Sequence, residues 1–214
     1  MSVAEAISNR IKHMPKGKPF AGAMFADAGP RTSVDKALSR LVQAGSLERI
    51  KRGVYMRPKV SSFIGKVRPN PQAVMEVITK TNGETIQIHG AEAVRRMGLS
   101  TQMQVLPTFY TSGTTREIKV DNAVIRLRHA CNNRLQHAGT TVGVALTALH
   151  YVGKQNLSAE VVAQVAKTLS SEELVTLRAS KMPEWMRSAL SLTAQEIECQ
   201  PPTSICPPTN NVSS

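Results

Sequence analysis

The sequence predicts an α+β fold: an N-terminal winged helix-turn-helix, then a mixed α/β C-terminal domain ending in a helical bundle. Residues 31–58 combine a helical apolar stripe, a glycine stop and two short apolar segments joined by a basic turn. Residues 71–128 alternate helix-like and strand-like patterns, and from Thr141 onward the pattern is helical. A length of 214 residues suits one large domain or two small ones.

The first helices are predicted from capping and periodicity. Ser2 followed by Glu5 forms a capping box, in which hydroxyl and carboxylate each accept from an unpaired backbone amide. We therefore expect a helix over about residues 3–13. Two prolines and a glycine in MPKGKPF end it, and AGAMFADAG predicts a short second helix.

A third helix followed by a hairpin is predicted for the second half of the N-terminal module. Ser33 is expected to cap the helix, and Gly45 is placed to end it in the left-handed conformation. The apolar stripe that should face the core consists of Val34, Ala37, Leu38, Leu41 and Val42. Segments 47–50 and 54–56, joined through Lys51-Arg52-Gly53, predict a hairpin with a basic tip.

The remaining chain divides by composition and periodicity. We predict a winged helix-turn-helix over 1–58, a linker over 59–70, a C-terminal domain over 71–194 and a flexible tail over 195–214. The tail is rich in Pro, Ser, Thr and Asn and has little apolar surface to bury. Helices are expected near 71–81, 91–97, 141–152, 158–168, 171–180 and 183–192, and strands at 85–88, 105–111, 116–120 and 123–128.

Charge points to a polyanionic partner at one end of the chain. The formal net charge is +12, which favours nucleic acid and, less often, an anionic membrane surface. Residues 1–58 carry 11 Lys/Arg against 4 Asp/Glu, residues 59–140 carry 11 against 5, and residues 141–214 carry 5 against 6. The last third is therefore freer to meet another protein.

The polar face of the third helix supplies the candidate DNA-reading residues. Its N-terminal end enters the major groove first in a helix-turn-helix, so its side chains are the candidates for bases; these are Arg31, Thr32, Ser33 and Lys36. Arg40 and Gln43 lie further along and are candidates for bases or phosphates. Lys51 and Arg52 at the hairpin tip are candidates for phosphates or an adjacent minor groove.

Two further basic groups are candidates for additional DNA contacts. Lys16 and Lys18 follow the first helix, and Arg126 and Arg128 share one face of a predicted strand. The alternative interpretation of the strand arginines is a solvated sheet face.

These residues carry a resemblance to a known family. SVDKALSRLVQAGSLERIKRGVYMRP, above all its closing Arg-Gly-Val-Tyr, resembles the N-terminal winged-helix domain of AbiEi-type antitoxins. The downstream pattern around IHGAEAVRRMGL is similar to the C-terminal domain of that family. The resemblance covers about 1–58 and 70–192.

The resemblance implies a bacterial antitoxin of a phage-defence system, encoded beside an AbiEii-type nucleotidyltransferase toxin. Such a protein represses its own operon by binding inverted repeats in double-stranded DNA, as a monomer or homodimer, and its C-terminal domain counters the toxin. The matching helix and wing of this chain are then the DNA-contacting parts. The strand arginines become a candidate surface for an acidic toxin as well.

Two other classes of function stay open at this point. One is a stand-alone winged-helix transcriptional regulator whose C-terminal domain senses a ligand or dimerises. The other is a nucleic-acid-processing enzyme, which the sequence disfavours. The five histidines lack metal-ligand spacing, TSGTTRE lacks the glycine-lysine pattern of a phosphate loop, and no carboxylate pair suits a metal-dependent nucleotidyltransferase. We expect no catalytic residue, metal or cofactor.

The cellular location expected from the sequence is the cytoplasm. The N-terminus lacks the apolar run of a signal peptide, and no stretch approaches the roughly 18 to 20 apolar residues that span a bilayer. Three cysteines without redox or metal spacing suit a reducing compartment.

Overall fold

The computed structural model describes residues 2–63 and 65–198, and it is an α+β fold. Its α-helices are α1 Val3–His13, α2 Arg31–Gln43, α3 Pro71–Thr81, α4 Gly90–Arg96, α5 Thr141–Val152, α6 Ala159–Lys167, α7 Ser171–Ala179 and α8 Glu184–Glu198. Its strands are β1 Pro19–Ala21, β2 Glu48–Lys51, β3 Val54–Met56, β4 Val60–Ser61, β5 Gly65–Lys66, β6 Ile86–Ile88, β7 Thr108–Thr111, β8 Arg116–Val120 and β9 Ala123–His129.

Helix α1 begins as the sequence predicts. The Glu5 amide donates to the Ser2 hydroxyl at 3.2 Å and the Ser2 amide donates to the Glu5 carboxylate at 2.8 Å, which completes the capping box. The buried face of the helix carries Ile7 and Ile11. The expected second helix is a 3-10 segment, Gly22–Ala28, kinked at Phe25, whose ring is fully buried.

Helix α2 begins three residues earlier than a Ser33 cap requires. Pro30 is the N-cap, and its carbonyl accepts from the amides of Ser33 at 2.9 Å and Val34 at 3.1 Å. The Ser33 cap was therefore a wrong prediction, because the fixed backbone of proline already sets up the first turn. Gly45 ends the helix region with φ +72, as expected, and the chain turns there into β2.

The N-terminal sheet has three antiparallel strands in the order β1-β3-β2. Phe20 of β1 lies opposite Tyr55 of β3, and the two rings stack with centroids 6.2 Å apart. The β2–β3 register shifts between Arg49 and Lys51, which is a bulge next to the turn. The sheet closes over a buried cluster formed with α1, the 3-10 segment and α2.

The segment expected as a plain linker contains a small hairpin. Strands β4 and β5 pair with Val60 opposite Lys66. The Lys66 ammonium lies 2.9 Å from the carboxylate of Glu48, which ties this hairpin to the start of β2.

The second sheet has the order β6-β7-β9-β8, in which only β7 and β9 run parallel. Val120 pairs with Ala123, and Asp121 between them has φ +50, so the expected tight turn at Asp121-Asn122 is confirmed. Alternation along β9 buries Ile125 and Leu127 on one face and exposes Arg126 and Arg128 on the other.

Two buried clusters hold the C-terminal half together. The larger one surrounds α5, in which every residue from 142 to 149 is buried, and includes side chains from α4, α6, α7 and α8. The other contains Val74 and Met75 of α3, packed with Ile118 and Leu127 of the sheet. Val54 of the N-terminal hairpin belongs to this same cluster, so α3 connects the two halves through a shared core.

The expected tail begins inside a helix. Helix α8 continues to Glu198, so residues 195–198 are helical, and the rest of the predicted flexible tail, 199–214, lies outside the described residues. Among the helices that are described, none has the length and apolarity to cross a bilayer.

Candidate nucleic-acid interface

Helix α2 presents a polar, solvent-exposed face opposite its buried stripe. Val34, Ala37 and Leu38 are at most 5% exposed. The opposite face carries the side chains proposed from the sequence: Arg31, Thr32, Lys36, Arg40 and Gln43 are exposed, and Ser33 is partly buried. The helical spacing of the stripe thus leaves a row of hydrogen-bond donors facing solvent.

The cations on this face have few anionic partners. The guanidinium of Arg31 lies 3.9 Å from the Asp35 carboxylate, a long pair between side chains that are 91% and 65% exposed. Exposed pairs of this kind contribute little and are readily exchanged for another anion. Within the described residues, Lys36 and Arg40 have no carboxylate within ion-pair distance, so their charge is available to an external anion.

The hairpin tip lies beside the beginning of α2. Gly53 adopts φ +77 at the turn, and its carbonyl accepts a hydrogen bond from the Gly22 amide at 2.8 Å. This bond holds the tip against the 3-10 segment that precedes α2. At the tip Arg52 is exposed, whereas Lys51 is partly buried.

A cleft of about 610 Å³ separates the hairpin tip from the N-terminal end of α2. Arg31 and Asp35 line it on the helix side and Arg52 lines it on the hairpin side. Ile78 and Asn82 at the end of α3 also line it, a contribution that the sequence analysis did not foresee. The structure therefore brings Arg31 and Arg52 to one concave surface.

Lys16 lies apart from that cleft. It lines a separate cavity of about 280 Å³ with Lys12, Leu41 and Gly45, near the C-terminal end of α2. Lys18, two residues on, is exposed. The Arg57 guanidinium donates to the carbonyls of Lys12 at 2.8 Å and Met14, which anchors the chain leaving α1.

The two strand arginines differ in their surroundings. Arg126 lies opposite Glu117 in the sheet and pairs with its carboxylate at 3.0 Å. Arg128 is exposed and, among the described residues, has no carboxylate partner. Of the two, Arg128 is the one left to attract an anion.

The TSGTTRE loop is occupied by its own hydrogen bonds. The Arg116 guanidinium donates to both carboxylate oxygens of Glu84, at 2.6 and 2.8 Å. The Thr111 hydroxyl also donates to Glu84, at 2.7 Å, and accepts from the Gly113 amide. Arg116 is thus committed to Glu84 and is not available to a phosphate.

A second basic and aromatic group forms where β7 and β9 meet α4 and α5. Its members, which we call the His89 cluster, are His89, Tyr110, Arg128, Arg134, His150 and Tyr151. The His89 ring lies 4.9 Å from the Tyr110 ring and 5.6 Å from the Tyr151 ring, between centroids. Arg134 lies over the Tyr110 ring at 5.9 Å.

Both histidines of this cluster have a lowered pKa. Burial, together with the charges of Arg128 and Arg134, lowers the pKa of His89 below its ordinary value. Burial and the charge of Arg134 lower the pKa of His150 in the same way. From the sequence, Arg128 was considered only as one of the strand arginines. The tyrosines were not found, because strand pairing and the end of α5 bring them together.

Metal-binding geometry is not found in the described part of the chain. No group of three or more His, Cys, Asp or Glu side chains there is arranged to hold an ion.

The comparisons with known proteins place the chain in a family. Residues 6–177 match the family described as "Family of unknown function (DUF6088)", and the chain belongs to that family. No curated protein matches the sequence. Among solved structures, the chain is similar to the crystal structure of the RV2827C protein from Mycobacterium tuberculosis, with 11% identity and a TM-score of 0.41. That alignment covers 90% of this chain and 76% of the other.

Proposed function

We propose that this protein binds double-stranded DNA through an N-terminal winged helix-turn-helix. The observation that carries the proposal is the element order α1, β1, 3-10 segment, α2, β2, β3, with the three strands forming one antiparallel sheet. In a winged helix, that order places the last helix in the major groove and the hairpin beside it. Here the last helix is α2, whose outward face is rich in donors.

Each group of side chains has a distinct part in this proposal. Arg31, Thr32 and Lys36 near the start of α2 read base edges, and partly buried Ser33 supports them from the same turn. Arg40 and Gln43 contact bases or phosphates further along the groove. Arg52, with Lys51, holds a phosphate or reaches the minor groove from the hairpin tip.

The remaining basic residues have secondary parts. In this proposal exposed Lys18 contacts the DNA backbone beyond α1. Lys16 lies near the other end of α2 and contacts a duplex that extends past that end. Arg128 is the better candidate of the strand arginines, because Arg126 is paired with Glu117.

We further propose that the protein is the antitoxin of a nucleotidyltransferase toxin and represses its own operon at inverted repeats. The resemblance of residues 33–58 to AbiEi-type antitoxins supports this role. The charge distribution agrees with it, because residues 141–214 carry no cationic excess and are free for a protein partner. We place the toxin contact on the C-terminal half.

The test is a footprint of the full chain on DNA upstream of its own gene, paired with co-expression. The proposal expects protection of an inverted repeat and rescue of cells from the product of the adjacent gene. An Arg31→Ala, Lys36→Ala double variant should lose the footprint but keep the rescue. If the variant protects the repeat as well as the natural chain does, α2 is not the reading helix.

A second candidate is a stand-alone regulator that senses a small molecule. The 610 Å³ cleft between α2 and the hairpin tip favours it, because that volume lies in the range of small-ligand sites. A ligand bound there would meet Arg31 and Arg52, the residues proposed for DNA. A gene neighbourhood without a nucleotidyltransferase, together with release of DNA by a metabolite, would favour this candidate over the antitoxin.

A further inference from the structure

The His89 cluster consists almost entirely of hydrogen-bond donors and aromatic faces. Its members come from five places in the fold: the β6–α4 junction, β7, β9, the turn after β9 and the last turn of α5. Such convergence gives a surface with a defined chemistry, whereas a solvated sheet face has isolated charges.

The Nδ1 atom of His89 accepts a hydrogen bond from the start of α4. The Ala91 amide donates to Nδ1 at 3.3 Å, so Nδ1 is an acceptor and does not carry the proton. The side-chain amide of Gln104 lies 2.8 Å from the same nitrogen. With Nδ1 accepting, Nε2 is the ring nitrogen that carries a hydrogen and can donate it.

Two guanidinium groups of the cluster have no anionic partner within the described residues. Arg134 faces the Tyr110 ring, and Arg128 lies opposite Tyr110 in the β7–β9 register. Neighbouring Arg126 differs, because Glu117 neutralises it. Two guanidiniums without an anionic partner, next to the Nε2 donor of His89, suit a dianion better than a single negative charge.

Tyr151 offers an open aromatic surface at the edge of the same cluster. Its side chain is 50% exposed although it is one of the large apolar residues of the chain. The ring packs so closely on the Gly90 backbone that any side chain at that position would collide with it. Tyr151 is thus held in place with one side facing solvent, as a base-stacking residue would be.

We propose that the His89 cluster is a binding site for a phosphomonoester attached to a planar base. Arg128, Arg134 and the Nε2 hydrogen of His89 hold the phosphate, whose charge of about −1.5 to −2 at neutral pH matches the two guanidiniums. Tyr151 stacks on the base. The ligand is either a free nucleoside monophosphate or the 5′-phosphate end of a nucleic-acid strand.

The experiment is calorimetric titration of the full chain with adenosine 5′-monophosphate and with adenosine. We expect saturable binding of the monophosphate and binding of adenosine at least 10-fold weaker, because hydrogen bonds to charged groups are each worth about 10- to 100-fold. Arg134→Gln and Arg128→Gln should each lower the affinity for the monophosphate by about 10-fold or more. Arg178→Gln, an equal loss of charge on exposed α7, should leave it unchanged.

The Tyr151→Ala variant distinguishes the contribution of the base to the affinity from that of the phosphate. It should lower the affinity for adenosine 5′-monophosphate but leave the affinity for inorganic phosphate unchanged, because only the base contacts the Tyr151 ring. Thermal melting of each variant reports whether the fold is kept, and because Arg128 and Arg134 are exposed the arginine variants give a readout even if Tyr151→Ala unfolds.

Short single strands distinguish the two sources of the ligand. If the 5′-phosphorylated hexanucleotide binds much more tightly than both its 5′-hydroxyl form and the mononucleotide, the natural ligand is a strand end. If the mononucleotide binds as tightly as the hexanucleotide, the natural ligand is the free nucleotide. The proposal is overturned if neither phosphomonoester binds, if Arg178→Gln weakens binding as much as Arg134→Gln, or if only duplex DNA binds regardless of its 5′ end. Operator binding through α2 is measured separately from phosphomonoester binding at the His89 cluster. The proposed function and this inference can therefore fail independently.

Discussion

Glu84 and Arg116 form the most enclosed ion pair among the described residues. Both oxygens of the Glu84 carboxylate accept from one guanidinium nitrogen, at 2.6 and 2.8 Å, and the two side chains are only 10% and 27% exposed. Asn82 and Thr111 also donate to Glu84. This pair joins the segment after α3 to the first residue of β8, the edge strand of the second sheet.

Replacing Arg116 should destabilise the chain substantially. Arg116→Gln leaves a largely buried carboxylate without its main partner, and we expect a loss of about 2 kcal/mol in the free energy of unfolding, between an exposed and a fully buried pair. The matched control is Arg187→Gln, whose pair with Glu184 spans 3.7 Å between side chains that are 48% and 83% exposed. Urea unfolding should show the first loss and almost none in the control; equal losses would contradict the argument.

Stability should fall as the pH drops below about 4.5. Hydrogen bonds from Arg95, opposed by burial and helped by Arg96, lower the pKa of Glu92 from 4.5 to about 2. Burial alone would raise the pKa of Glu84, but bonds from Arg116, Asn82 and Thr111 outweigh it and lower the pKa. A carboxyl with a lowered folded pKa stabilises fully above its unfolded value, and this contribution is lost as the pH falls through the folded pKa.

The measurement for this prediction is urea unfolding of the natural chain and Glu92→Gln at pH 6 and pH 3. The natural chain should lose more stability between these two values than the variant, because at pH 3 the unfolded natural chain takes up a proton at Glu92 and the variant has no carboxyl there. Parallel loss in both proteins would show that Glu92 does not contribute to acid sensitivity.

Local patterns allowed most of the elements to be predicted, because each pattern acts within its own segment. Helix α3 runs over 71–81 and strand β8 over 116–120, as the periodicity indicates. The β4–β5 hairpin was missed because two-residue strands carry no periodic signal. Its support includes the contact between Lys66 and Glu48, far apart in sequence.

The candidate nucleic-acid interface was predictable only in part, because local patterns do not show which distant segments come together. The outward face of α2 follows from helical spacing, which places Lys36 and Arg40 opposite the buried stripe. The approach of Arg52 to Arg31 depends on the Gly22–Gly53 hydrogen bond and on the packing of α3, and no local pattern encodes either. The His89 cluster likewise depends on which strands become neighbours.

The two halves of the chain should unfold together. Met75 of α3 is 1% exposed and belongs to the buried cluster that also contains Val54 of the N-terminal hairpin. Met75→Ala should cost about 2 to 5 kcal/mol, the usual range for truncating a buried side chain of this size. Hydrogen exchange should rise in α1 and α2 as well as in α3. If exchange rises only in the C-terminal half, the shared cluster does not couple the halves.

Replacing Arg52 should weaken binding to all DNA about equally. Arg52 is exposed at the hairpin tip, where a phosphate is the expected contact, and each phosphate neutralised adds about 0.9 to the log–log slope of affinity against salt. Arg52→Ala should flatten that slope by about one and lower affinity for operator and random duplex by similar factors. Arg178→Ala on α7, also exposed, is the control and should change neither. An unchanged slope would show that Arg52 does not touch a phosphate.

Replacing Arg31 should cost discrimination between sequences. Arg31 lies at the first position of α2, and its guanidinium, 3.9 Å from Asp35, is 91% exposed and free to turn toward a base. If it donates to a guanine edge, Arg31→Ala should weaken operator binding by about 1 to 3 kcal/mol more than random-DNA binding. Competition titrations of operator against random duplex at one fixed salt concentration measure this difference. Asp35→Asn is the complementary variant: it removes the weak anionic partner of Arg31 and should preserve the preference for operator. If Arg31→Ala lowers the affinity for operator and for random DNA equally, Arg31 contacts the phosphate backbone instead.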